Sequence, residues 1–204
     1  MTPADPFAVA NVVGLLAFAI AGALKAADAD LDLFGVVVLG VVTALGGGTT
    51  RDVLVGRTPT SLASVGDVTV ALVGVAIAVA VVAGDGPRLR DNPLFVLSDA
   101  LGLAAFASTG ALVGTSVGLS PFGVVALATV TAVGGGSIAD ILLGRVPVVL
   151  REDFYATPAL AGGVSFWILS EAGASAGLST FVCTVSVLAL RGLALKYDWK
   201  LPTV

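Results

Sequence analysis

Two aspartates in this 204-residue chain follow glycine triplets at the same spacing. Gly46-Gly47-Gly48 precedes Asp52 and Gly56, and Gly134-Gly135-Gly136 precedes Asp140 and Gly144. On a helix, Gly48, Asp52 and Gly56 share one face, as do Gly136, Asp140 and Gly144. The flanking sequence is almost wholly apolar, and an ionisable residue inside such a span is costly and a functional candidate. Carboxylates placed this way could line a polar passage and favour cations. The alternative is local pairing, Asp52 with Arg51 or Arg57 and Asp140 with Arg145. Arg51 aligns with Ala139, so it either neutralises Asp52 or forms a positive barrier.

Three consecutive glycines weaken a helix, each by about 1 kcal/mol relative to Ala. The expectation is a break or kink at Gly46–Gly48 and another at Gly134–Gly136. Backbone groups freed at membrane depth must face protein or water, so two facing breaks would build a pore or binding site. Close helix packing is the other use of such glycines. Thr43 and Thr131 precede the central glycines by four residues, where their hydroxyls could line the passage or bond back to their own helix. Asp99 aligns with Asn11 and either lines the passage or caps a helix. Lys25, at the end of an apolar run, is expected to snorkel to the headgroups.

Other chemistry is excluded by absence. The chain has no His, and Cys183 is its one cysteine, which removes His-based catalysis, internal disulfides and Cys-type zinc sites. No nucleophile, base or metal-ligand cluster stands out, so neither an enzyme nor a cofactor or metal site is expected. A net charge of −4 argues against nucleic acid as a partner.

The elements that must position these residues follow from composition. Apolar residues make up 57% of the chain and charged residues 12%, with a mean hydropathy of +1.05. Soluble domains carry about 25% charged residues, so an all-α, multi-pass membrane protein is expected. Seven transmembrane helices are read at Phe7–Leu24, Leu33–Val55, Val68–Ala83, Leu94–Thr115, Phe122–Leu143, Thr157–Ser170 and Leu178–Leu195. The third and sixth are short. The acidic start, Met1 to Pro6, does not read as a cleaved signal peptide. Tyr197 and Trp199, beside Lys196 and Lys200, read as an interfacial anchor.

An 88-residue shift aligns Phe18–Pro59 with Phe106–Pro147 without a gap, with 22 identities in 42 positions. The ordered matches include both triplets, both aspartates and Gly56-Arg57-x-Pro59 with Gly144-Arg145-x-Pro147. The chain thus divides into a first three-helix repeat (residues 7–83), a second (94–170) and a seventh helix (178–195). An odd number of spans per unit inverts the second unit, so the two are inverted repeats with a site expected at their interface. One side collects Lys25, Arg88, Arg90, Arg145, Arg151, Arg191, Lys196 and Lys200, the other Arg51 and Arg57. By the positive-inside rule the N-terminus lies outside and the C-terminus in the cytoplasm.

The Phe-Ala-x-x-Gly-Ala repeat, the Gly-Gly-Gly-Thr-Thr-Arg-Asp-Val-Leu-Val-Gly-Arg-x-Pro run from Gly46 and its weaker copy from Gly134 resemble the prokaryotic trimeric intracellular cation (TRIC) channel family. The same domain carries the label "glycine transporter". The resemblance implies seven helices, a homotrimer in membrane lipid with a pore in each subunit, and K⁺ and Na⁺ as permeant ions. It implies that the second and fifth helices line the pore, kinked at Gly46–Gly48 and Gly134–Gly136. The second copy departs from the motif at Ile138-Ala139. The functional expectation is a passive monovalent cation channel. A secondary transporter of a small zwitterion such as glycine is the alternative.

Overall fold

A computed structural model describes residues 5–63, 65–82, 92–151 and 154–199. Among them are eight helices: α1 Pro6–Asp28, α2 Leu33–Leu54, α3 Thr60–Ala63, α4 Val65–Val82, α5 Pro93–Ser116, α6 Pro121–Leu142, α7 Thr157–Glu171 and α8 Ala176–Tyr197. Five are long and apolar enough to cross a membrane, namely α1, α2, α5, α6 and α8. The shorter helices α4 and α7 lie where the third and sixth spans are expected, while α3 is a single turn. Arg88, Arg90 and Lys200 lie outside the described residues.

The helix starts are written locally. Asp32 accepts from Gly35 N–H at 2.8 Å, and Ser120, at the matching position, accepts from Gly123 N–H at 3.2 Å. Both are side-chain N-caps. The ends of α2 and α6 explain the Gly-Arg-x-Pro motif. Gly56 and Gly144 take φ of +69° and +66°. That left-handed step lets Arg57 N–H reach the Asp52 carbonyl and Arg145 N–H reach the Asp140 carbonyl, both at 2.8 Å. Gly56 N–H bonds the Val53 carbonyl and Gly144 N–H the Ile141 carbonyl, so each end is a Schellman motif. Pro59 and Pro147 then open the next turn, their carbonyls accepting from Leu62 and Leu150.

Helices α1 and α5 form the centre. The Phe18 and Phe106 rings meet edge to face at 5.3 Å, each beside a glycine of the other helix. Phe106 packs over Gly14 and Phe18 over Gly102, where a Cβ would collide with the ring. The outer surface is apolar. Phe34 and Phe122, at matching positions, are 77% and 83% exposed. Large exposed apolar side chains in such numbers need a non-aqueous surrounding, which lipid supplies.

The structure corrects the expected helix breaks. Helix α2 continues through Gly46–Gly48, and α6 through Gly134–Gly136. The triplets instead pack on each other. A Cβ on Gly47 would strike the Thr131 carbonyl oxygen, and one on Gly135 the Thr43 carbonyl oxygen. On Gly134 it would lie 3.3 Å from the Gly47 Cα. The physical reason is the solvent. In an apolar medium a broken helix leaves backbone groups unsatisfied at several kcal/mol each, more than three glycines cost in helix propensity. The Thr43 and Thr131 hydroxyls donate back to Leu39 O and Leu127 O, each at 2.6 Å, and both residues are buried.

Within one triplet, substitutions should have opposite signs. Gly47→Ala, which would strike the Thr131 carbonyl oxygen, should destabilise by about 1–3 kcal/mol through overpacking against backbone. At Gly48 the nearest atom to an added Cβ is Arg51 Nη2, at 3.8 Å, so Gly48→Ala should be neutral or stabilising, by up to about 1 kcal/mol. Thermal unfolding in detergent compares the two.

Candidate functional site: two buried carboxylates at opposite ends

Each aspartate sits where its helix hands over to the next turn. One carboxylate oxygen holds that turn. Asp52 Oδ2 accepts from Thr60 N–H at 3.1 Å, and Asp140 Oδ2 from Val148 N–H at 2.9 Å. The other oxygen takes a buried cation. Asp52 Oδ1 receives both Nε and Nη2 of Arg51 at 2.8 Å. Asp140 Oδ1 receives Lys25 Nζ at 2.7 Å. All four charged residues are at least nine-tenths buried.

Two expectations are corrected here. Lys25 does not reach the headgroups; it turns inward to Asp140. Asp140 pairs with Lys25 rather than with Arg145, which lies 3.7 Å from Asp28 in a half-exposed pair. A buried carboxylate must be neutralised close by, and Arg145 is too exposed to serve. For Asp52 the pairing with Arg51 is the one realised.

The two cations come from non-equivalent places. The 88-residue counterpart of Arg51 is Ala139, and that of Lys25 is Val113. Val113 lines the cavity beside Asp52. Each carboxylate thus has one buried cation, and each site has an apolar side chain where the other keeps its charge.

The sites lie at opposite ends. Phe7, in the first turn of α1, lines the Asp52 cavity together with Leu112, Val113 and Ser116 from the last turns of α5. Lys25, near the end of α1, lines the Asp140 cavity together with Phe95 and Asp99 from the start of α5. Helices α1 and α5 are therefore antiparallel. Phe7 and Lys25 are separated by roughly 27 Å of helix, close to the hydrocarbon thickness of a bilayer. The seam of α2 and α6, with its glycine contact, lies between.

The cavities differ in kind. The one at Asp140 has about 40 Å³, enough for a few waters. Around it, Tyr155 donates to Asp99 Oδ1 at 2.8 Å, Arg191 Nη2 lies 4.0 Å from Asp99 Oδ2, and the Arg191 guanidinium stacks 4.8 Å over the Tyr155 ring. Burial first, then the Asp99 carboxylate, holds the Tyr155 phenol well above its ordinary value, so it stays a donor. Asp99 lines the cavity and does not cap α5, which Asn92 caps. Its counterpart Asn11 donates to Asp67 at 3.0 Å. Asp67 and Tyr155 are also 88 residues apart, so the polar pair recurs with its chemistry exchanged. The cavity at Asp52 is larger, about 320 Å³.

Sequence reasoning missed Lys25 as a partner, Tyr155 and Arg191. The signal for Lys25 was present: Asp140 lacked the arginine that Asp52 has, and Lys25 had no charged counterpart. Tyr155 lies beyond the gapless alignment, and α8 has no repeat to flag Arg191.

The family model described as "Glycine transporter" matches twice, at residues 8–83 and 96–171, the same 88-residue offset. Three solved structures share the fold over nearly all of this chain. One, of a TRIC cation channel studied for conductance, is 39% identical with a TM-score of 0.86 and covers 97% of both chains. A second, a prokaryotic TRIC channel in 0.5 M KCl, is 34% identical with a TM-score of 0.83 and covers 96% of this chain and 98% of that one. The third, a TRIC orthologue from Rhodobacter sphaeroides, is 32% identical with a TM-score of 0.87, at 95% and 98% coverage. The chain belongs to the prokaryotic TRIC family. Relatives in this family include the membrane protein YvgT of Bacillus subtilis, 38% identical over 94% of this chain and 93% of its own length. The inner membrane protein YadS of Escherichia coli K12 is 35% identical over 95% and 93%. Like them, this TRIC-family chain is a multi-pass membrane protein.

The Asp140 site makes a stability prediction. Lys25→Met leaves a buried carboxylate without its cation and should cost about 3–5 kcal/mol. Adding Asp140→Asn, which keeps an acceptor for Val148 N–H, should recover most of that loss. Unfolding midpoints of the single and double variants in detergent measure both steps.

Proposed function

We propose that this protein is a passive cation channel for K⁺ and Na⁺, with a pore inside each subunit of a homotrimer. The observation that carries the reading is the charged cavity at each end of one helix seam, on a fold shared with TRIC cation channels. In this reading the chain has seven spans in two inverted repeats, residues 7–83 and 94–170, followed by the unpaired helix 178–195. The antiparallel course of α1 and α5 supports the inversion. The Asp52 end faces outside with the N-terminus, and the Asp140 end faces the cytoplasm with the C-terminus. The clustering of Lys25, Arg145 and Arg191 toward the Asp140 end supports that orientation.

The pore runs along α2 and α6, past Gly46–Gly48 and Gly134–Gly136. Backbone contact of Gly47 and Gly135 with the Thr131 and Thr43 carbonyls closes this seam. Conduction requires the two triplets to part. Parted, they would expose carbonyl oxygens, the natural replacement for a monovalent cation's hydration shell. Asp52, Asp140 and Asp99 set the sign of the permeant ion. Arg51 neutralises Asp52 and Lys25 neutralises Asp140 until they move. Glycine transport draws on the family description alone, and no feature of the two cavities favours it.

Purified protein in a planar bilayer should pass discrete single-channel currents in KCl and in NaCl. Asp140→Asn and Asp52→Asn should lower the K⁺ over Cl⁻ permeability ratio, read as a shift of reversal potential toward zero in a KCl gradient. Saturable solute uptake without unitary currents would overturn the reading.

A further inference from the structure

The turn that carries Tyr155 is held from outside its own repeat. In the first repeat the counterparts of Phe154 and Tyr155 are Gly66 and Asp67. Both lie within helix α4, where helical hydrogen bonds fix the backbone. In the second repeat the helix begins later, at Thr157, so Phe154 and Tyr155 stand in the turn before it. Phe154 takes φ of +56°, a left-handed step that a bulky side chain rarely adopts unless its surroundings impose it. Here α8 supplies the surroundings at two points. The Arg191 guanidinium stacks on the Tyr155 ring, and the Trp199 ring meets the Phe154 ring edge to face at 5.3 Å. Just past α8 the chain turns back: Asp198 takes φ of +48°, and Trp199 N–H bonds the Ala194 carbonyl at 3.1 Å. Beside Phe154, the buried Tyr155 phenol points into the small cavity among Asp99, Asp140, Lys25 and Arg191 and donates to Asp99 Oδ1.

We propose that Trp199 is a positioning residue for the Asp99–Tyr155 pair: its ring, clasped on Phe154, fixes the turn that aims the phenol at the carboxylate. An edge-to-face ring pair adds directional contact to simple burial. It acts one residue from Tyr155, where no helix holds the chain. Arg191 covers the phenol ring, and Trp199 supplies the second point of contact that sets the direction of the turn. With the clasp closed, the phenol occupies one oxygen of Asp99; with it open, that oxygen turns to the cavity. On the reading of this chain as a cation channel, Trp199 thereby sets how much of the Asp99 carboxylate a permeant ion meets. The positioning itself does not depend on conduction, and its test involves no current.

The chain has two tyrosines and two tryptophans, so Tyr197→Phe leaves Tyr155 as the one phenol. In that background the phenolate absorbance of the purified protein in detergent is followed against pH. Burial first, then the Asp99 carboxylate, holds this phenol above its ordinary value, so with Trp199 present it should stay largely un-ionised at about pH 10. Trp199→Ala should bring the midpoint down to about pH 10, the ordinary phenol value. Trp199→Leu, which fills the space without a ring, should do the same, and Trp199→Phe should restore the high midpoint. Phe154→Ala should lower it equally, with no further fall when combined with Trp199→Ala. Fluorescence of Trp167 through a thermal scan at the alkaline pH selects the variants that remain folded, and Trp199→Leu decides where Trp199→Ala does not. A folded ringless variant with the midpoint unmoved, or an equal fall in Trp199→Phe, overturns the proposal. A lowered midpoint in a protein that passes no current upholds the clasp and sinks the channel reading; unitary currents with an unmoved midpoint do the reverse.

Discussion

Two carboxylates buried in an apolar bundle must each be neutralised, and the rest of this structure is arranged around meeting that demand. An unpaired ion in such a medium costs far more than any one packing contact returns. The solution is the same at both ends. The helix bearing the aspartate stops at a left-handed glycine, Gly56 or Gly144, three residues before the proline, Pro59 or Pro147, that opens the next turn. One carboxylate oxygen then ties that corner down, and the other is left for a cation. The Asp-x-x-x-Gly-Arg-x-Pro pattern is thus first a folding device. Its charge chemistry is built on an oxygen that the fold does not need.

Much of this was legible from the chain alone. The starts read at Leu33, Leu94, Phe122 and Leu178 lie within two residues of those of α2, α5, α6 and α8, and positions matched by the 88-residue shift meet in the structure as reciprocal pairs. Phe18 with Gly102 and Phe106 with Gly14 are such a pair. The repeat could not say which cation serves which carboxylate, because that is where its copies differ. Asp140 is served by Lys25, 115 residues away, and no local spacing encodes a partner at that distance. A lysine at the end of an apolar run has two outlets, the headgroups or an interior acid, and the choice depends on tertiary packing.

The glycine triplets failed as a sequence signal for a different reason. Helix propensities describe the competition between helix and hydrated coil. Inside a bilayer the coil has no water to turn to, and the balance reverses. What remains of glycine's character is the absent Cβ, and the structure uses that at Gly47 and Gly135 to bring two backbones into contact. Such a contact has little depth. At Gly47 and Gly135 the carbonyl oxygens of Thr131 and Thr43 face the bare Cα positions, and beside them the Ile138 side chain packs over Gly46.

The two ends are chemically alike and mechanically different. Arg51 and Asp52 are neighbours on α2, so their pair binds one helix to itself and offers no resistance when α2 moves as a body. Lys25 and Asp140 belong to α1 and α6, so that pair opposes any separation of the two helices. Arg191 and Tyr155 extend the same cluster to α8 and to the approach of α7. Moving α6 away from α1 at the Asp140 end would break or stretch a buried ion pair, while at the Asp52 end the pair stays within α2. At positions 88 residues apart, Arg51 stands against Ala139 and Lys25 against Val113, and these differences leave one carboxylate paired within its own helix and the other paired between two helices.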